Sequence, residues 1–182
     1  MNTKSKTKSD RASKKLKVAI FIPAYQHVKC LPPTIDRIPD EIKDMVEEIF
    51  VIDDASSDNT YLLAKGYKHD RGLKKLSVYK NEKNRGYGGN QKRGYSYAIK
   101  KGYDVVVMLH GDGQYAPEVL PKLLQPFFQG RADMVFGSRI QKISSLATAQ
   151  THSTEATAKA LTHFSITVPL TQMPPSATSS NF

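Results

Sequence analysis

The chain has 182 residues, 39% of them apolar, and a formal net charge of +10 at pH 7. That length fits one domain with a real core, and the lone cysteine, Cys30, excludes an internal disulfide and any multi-cysteine zinc site. No apolar run approaches the roughly 20 residues that cross a bilayer, and the amino terminus has no apolar signal-peptide core, so the expected location is the cytoplasm.

The chain opens on "MNTKSKTKSDRASKKLK", with seven Lys or Arg and one Asp. This basic stretch has no apolar face to bury, so residues 1–16 are expected to be a disordered arm. Contact with an anionic membrane surface or with nucleic acid is the alternative use of its charge. Residues 18–140 carry 18 basic and 15 acidic residues, which leaves the rest of the chain nearly balanced. Net charge alone therefore does not argue for a nucleic-acid partner.

Strand and helix signals then alternate. "KVAIFIP" (17–23), "EIFVIDD" (48–54) and "DVVVMLH" (104–110) are near-continuous apolar runs of strand length, with weaker versions in "KLSVY" (75–79) and "ADMVFGS" (132–138). Runs of this kind predict strands buried on both faces. Between them, "SDNTYLLAKGYKHD" predicts a helix capped by Asp58 or Asn59. "GNQKRGYSYAIKKGY" predicts a second, with Tyr95, Ala98, Ile99 and Gly102 on one face. "APEVLPKLLQPFFQG" predicts a third, with Pro117 in its first turn and Gly130 past its end. The expected fold is α/β, a mainly parallel sheet with helices on both faces.

Composition changes near residue 140. All eleven glycines and nine tyrosines precede it, while 141–182 holds fifteen Ser or Thr and three charged residues. No strong strand pattern lies there, so the expectation is a fold of residues 17–140, ending after its fifth strand. Residues 141–182 are then a Ser/Thr-rich tail, disordered or non-native.

In a parallel sheet, ligands bind beyond the carboxyl ends of the strands. Here those ends read "PAYQH", "DDASSDNT", "HGDGQY" and "GSR". Carboxylates gathered at one edge repel each other unless a cation or ligand donors compensate them. In "HGDGQYAPE", glycines flank Asp112 and Gln114 and permit a sharp turn with close backbone approach. Two oxygen donors on such a turn suit Mg²⁺ or Mn²⁺, which also binds phosphate oxygens. The competing reading makes Asp112 a helix cap. Asp, Ser and Asn after the second strand are ordinary turn residues, but adjacent Asp53 and Asp54 offer acceptors for a base N–H or ribose hydroxyls.

Taken in order, "IPAY", "VIDDASSDNT", "NRGYGGNQKRGYSYA", "HGDGQYAPE" and "DMVFGSR" resemble the family 2 glycosyltransferases of GT-A fold, a Rossmann-like nucleotide-diphospho-sugar transferase fold. The closest branch is the dolichyl-phosphate mannose synthase type, over residues 17–139. The resemblance implies that Pro23, Ala24 and Tyr25 line a nucleobase pocket and that Asp53 and Asp54 bind the nucleotide-sugar. It implies that Asp112 and Gln114 hold a divalent cation, Mg²⁺ or Mn²⁺, at the diphosphate. Asp112 and Arg139 are the implied catalytic residues, Arg139 also binding the donor, and the turn 84–90 shapes the pocket. Two positions depart from the family pattern: His27 stands where a Glu is usual, and His110 takes the first place of an Asp-x-Asp motif. The implied reaction is inverting transfer from a UDP- or GDP-sugar, with a polyprenyl phosphate as a candidate acceptor at the cytoplasmic membrane surface. The alternatives are an inactive donor-binding fragment of a truncated or frame-shifted enzyme, and a nucleic-acid-binding protein. The second is disfavoured because "RGYGGNQK" departs from the RNA-recognition signature at its fifth position and opens a helix rather than a strand.

Overall fold

A computed structural model describes residues 15–137 and 166–169. Its elements are β1 (Val18–Ala24), α1 (Leu31–Asp36), α2 (Asp40–Met45), β2 (Glu48–Asp53), α3 (Thr60–Asp70), β3 (Leu76–Lys80) and α4 (Gly86–Lys101), followed by β4 (Val105–Met108), a 3₁₀ turn (Pro117–Val119), α5 (Leu120–Phe128), β5 (Val135–Phe136) and β6 (Ile166–Pro169). The sheet order is β3-β2-β1-β4-β6-β5. The β1–β2, β2–β3 and β1–β4 pairs are parallel, while β6 runs antiparallel to both β4 and β5.

Side chains of the central strands alternate between two cores. Val18, Ile20, Ile22, Val51 and Val107 pack with Leu31, Ile35, Ile42, Ala64, Leu120 and Leu124, so α1, α2, α3 and α5 cover one face. Phe21, Phe50, Val106 and Met108 face the other way and pack with Ala98 and the partly buried Tyr95 and Tyr97 of α4. The rings of Phe21 and Phe50 stack with centroids 5.1 Å apart. At Gly94 a Cβ would come within 2.3 Å of the Phe21 ring, so α4 can lie this close to the sheet only with glycine there.

The alternating α/β pattern and two-faced sheet are as the sequence implies, and five details differ. The sheet does not end after a fifth strand: β6 sits between β4 and β5. "ITVP" carries little apolar signal of its own, and its place comes from long-range pairing with Val105–Val107 and Val135–Phe136. Helices α1 and α2, six residues each, escape a periodicity reading because each is under two turns long; α1 has two prolines in its first turn and α2 starts just after Pro39. Helix α4 starts at Gly86, three residues before the expected run. Gly102 is not on its packed face but caps it with φ 71°. The 3₁₀ turn precedes α5, and its cap is Ala116 rather than Asp112. The arm to residue 14 and Arg139 lie outside the described residues, as does the tail apart from β6.

Candidate active site

Parallel pairing aligns Ala24 with Asp53 and Asp53 with Lys80, so the carboxyl ends of β1, β2 and β3 finish side by side. Strand order reverses between β1 and β4, the place where ligand crevices open in such sheets. A cavity of ≈ 280 Å³ lies there. Pro23, Ala24, Tyr25 and His27 line it from the β1 end, Asp54 from β2, and His110 from β4. The start of α4 contributes Asn84, Gly86, Tyr87 and Asn90. Tyr25 and Tyr87 are 44% and 46% exposed, leaving aromatic surface for a planar ligand.

The loop after β2 is densely bonded. Asp53 is fully buried, and its carboxylate accepts from the Ser56 N–H (3.1 Å) and the Ser56 hydroxyl. It therefore does not line the cavity. Asp54, 3% exposed, does line it, and its Oδ1 accepts from Asn81 Nδ2 (2.5 Å) and the Arg85 N–H (2.9 Å). Asp58 holds the first turn of α3 by accepting from the Thr60 hydroxyl and N–H at 2.5 and 3.1 Å. Burial raises the Asp58 carboxyl, but these bonds and one from the Val28 N–H outweigh it and keep the group below 3.8.

The β1 loop hangs from this second loop. The N–H groups of Gln26, His27 and Val28 donate to Ser56 Oγ, Thr60 Oγ1 and Asp58 Oδ2 at 2.8, 2.9 and 3.1 Å. Gln26, Ala55 and Asn59 adopt left-handed backbone with φ 57°, 60° and 64°, a conformation that L residues hold only when surrounding bonds fix it.

The β4 end is built differently. Asp112 is half-buried, and its Oδ1 accepts only the Gln114 N–H among the bonds described (3.1 Å); Gln114 is exposed. His110 stands beside Tyr87, whose hydroxyl lies 3.0 Å from its Nε2, and beside the buried Tyr115 at 5.0 Å between ring centroids. Burial raises the Tyr87 phenol above its ordinary 10.0. Gly111 packs directly on His27, because a Cβ there would be 3.0 Å from Nδ1. That Nδ1 is buried and has no partner among the described residues. Burial lowers the His27 imidazole below 6.5, against the opposing pull of Asp112, Asp58 and Asp53.

The donors at this turn fit a hard cation shared with a ligand rather than caged by the protein. Among the described residues no group of three or more His, Cys, Asp or Glu gathers where a metal could sit. Asp112 and the Gln114 amide offer at most a few oxygens. Mg²⁺-like ions tolerate this because phosphate oxygens and water complete their shell. The structure thus brings Pro23, Ala24, Tyr25 and Asp54 to one cavity and puts Asp112 on the neighbouring turn. His27, Tyr87 and His110 join them, and the sequence marks the two histidines only as departures from a pattern. Asn81, which donates to Asp54, was not singled out at all, since one amide among many carries no local signal.

The sequence profile of Glycosyl transferase family 2 matches residues 19–176, well past the expected end of the resemblance at 139. Among curated proteins, a UDP-N-acetylglucosamine–dolichyl-phosphate N-acetylglucosaminyltransferase of Methanococcus voltae is 30% identical over 68% of this chain and 52% of its own length. An undecaprenyl-phosphate mannosyltransferase of Micrococcus luteus is 33% identical over 68% of this chain and 49% of its own. The chain thus spans about half the length of these relatives. In three dimensions it is similar to the glucosyl-3-phosphoglycerate synthase of Mycobacterium tuberculosis, solved with Mn²⁺, UDP and phosphoglyceric acid. That likeness has a TM-score of 0.55 and 20% identity, over 73% of this chain and 47% of that one. S. aureus TarS is similar with the same TM-score and identity, over 74% of this chain and 39% of that one. Among the described residues no helix is long and apolar enough to cross a membrane.

Proposed function

Because the chain belongs to glycosyl transferase family 2, we propose that the cavity binds the nucleoside diphosphate of a sugar donor and that the chain transfers the sugar to a polyprenyl phosphate. One observation carries this reading. A mainly apolar cavity with aromatic rims sits at the strand-order reversal, with the Asp54 carboxylate in its wall and the Asp112 turn beside it.

In this reading Pro23, Ala24 and Tyr25 flank the base, and Asp54 accepts from a base N–H or a ribose hydroxyl. Asp53 acts one step back, holding the Ser56 turn from which the β1 loop is suspended. Asp112, with Gln114, would hold a divalent cation at the diphosphate, where it supplies positive charge against the developing negative charge. Arg139, outside the described residues, is proposed to approach the same phosphates. An acceptor oxygen attacks the anomeric carbon opposite the diphosphate, and the bond from that carbon to the β-phosphate oxygen breaks. The nucleoside diphosphate leaves with the electron pair, and the configuration inverts. A polyprenyl phosphate presents an oxygen that is already anionic, so no general base is required. The names of the M. voltae and M. luteus relatives support that acceptor class, which would bring the chain to a membrane surface.

The test uses the full chain, radiolabelled UDP- and GDP-sugars, Mn²⁺ and a polyprenyl phosphate in detergent micelles. Label should move into the lipid fraction, and Asp112→Ala should abolish the transfer. Release of sugar at the same rate with and without the lipid would overturn the reading.

A further inference from the structure

The stretch 81–93 contains a buried polar relay that the donor cavity itself does not explain. Asn81 directly follows β3 and is 1% exposed. Its backbone N–H already continues the sheet by donating to Asp53 O (2.8 Å), so strand pairing makes no demand on its side chain. That side chain is nonetheless fully engaged. Nδ2 donates to Asp54 Oδ1 (2.5 Å) and to Asn90 Oδ1 (3.3 Å), and Oδ1 accepts from Arg93 Nη1. Asn90, 2% exposed, is itself anchored by donation to Ile52 O (2.9 Å). The amide can face only one way, because a carboxylate needs a donor and a guanidinium needs an acceptor.

We propose that Asn81 is a positioning residue for donor binding, relaying Arg93 to one oxygen of Asp54 so that the other oxygen is held toward the nucleotide. The proposal rests on the donor reading of the cavity. The bonding of Asp54 supports it. Among the described residues, both donors to the Asp54 side chain, Asn81 Nδ2 and the Arg85 N–H, converge on Oδ1. A direct Arg–carboxylate pair tends to be bidentate and would engage both oxygens. An amide placed between the two charges fixes one oxygen and leaves Oδ2 for a ligand, and each bond in such a chain polarises the next.

The experiment is calorimetric titration of the full chain with UDP and with GDP, each in Mn²⁺, for wild type, Asn81→Ala, Asp54→Ala and the double variant. Thermal unfolding is recorded for each. Asn81→Ala should weaken the preferred nucleotide roughly tenfold, the effect of losing a hydrogen bond to a charged group. The double variant should bind no more weakly than Asp54→Ala alone, because Asn81 acts only through that carboxylate. A purely structural role would make the two losses multiply, and that result overturns the proposal, as would an Asn81→Ala affinity within about twofold of wild type. If Asn81→Ala is unfolded at the assay temperature, Arg93→Met replaces it. Its loss should vanish in the Asp54→Ala background, and its persistence there overturns the proposal. Wild-type protein that binds neither nucleotide would overturn the donor reading and this proposal together, an outcome distinct from additivity.

Discussion

Two strand ends carry carboxylates at or beside the same cavity, and they are built on opposite plans. Beyond β2, the carboxylates of Asp53, Asp54 and Asp58 accept hydrogen bonds from Ser56, Asn81, Arg85, Val28 and Thr60. Beyond β4, the described bonding of Asp112 is a single turn bond from the Gln114 N–H, and its carboxylate is half open to solvent. The first plan gives a rigid surface that recognises a fixed shape. The second leaves oxygen lone pairs for a partner that arrives with its own charge. In the proposed donor reading, the first plan serves the nucleoside and the second the diphosphate.

The comparison fails first at Asp53 if it fails at all. Asp53→Ala leaves the Ser56 N–H and hydroxyl without their acceptor in a buried site and loosens the loop that carries Gln26. We expect a stability loss of about 3 kcal/mol, measured by urea unfolding. A loss below about 1 kcal/mol would mean that the β2 loop is not held by its carboxylates. Ser56→Ala removes the hydroxyl that donates to Asp53 and accepts from the Gln26 N–H, and should cost about 1–2 kcal/mol.

These loop bonds mark the limit of what the sequence discloses. The sheet was legible because runs such as "VAIFIP" and "VVVML" have one interpretation at that length. The carboxylates at their ends were legible as a group. Their division of labour was not, because Asp53 and Asp54 are adjacent and chemically identical. Alternation along β2 buries one among loop bonds and turns the other to the cavity. His27 was read as a missing Glu, whereas its burial under Gly111 depends on how two loops meet. Strand β6 was unreadable for a related reason: four residues of "ITVP" are recruited by strands far away in the chain, and local pattern does not encode that.

A smaller effect concerns His27, where the two loops touch. Its folded pKa lies below 6.5 because burial disfavours the charged ring. The unfolded chain therefore binds a proton that the folded chain resists as pH falls below 6.5. The associated stability is fully present above 6.5 and is lost as pH drops toward the folded value. Thermal midpoints between pH 7.5 and 5.5 should fall more steeply for wild type than for His27→Gln. Parallel slopes would show that the imidazole is not buried between the loops. The smallest stability change belongs to Asp112→Ala, expected within about 0.5 kcal/mol of wild type, as for a half-open group whose described bonding is one local turn bond. A larger loss would erase the contrast between the two strand ends.

The most direct test titrates UDP and GDP into the full chain by calorimetry, with Mn²⁺ and with the metal removed by chelation. Here one nucleotide should bind with Mn²⁺ and at least about tenfold more weakly without it, a difference of about 1.4 kcal/mol. Asp112→Ala should bind equally weakly in both conditions. Equal wild-type affinity with and without the metal, or an Asp112→Ala variant that keeps its metal dependence, would contradict the account.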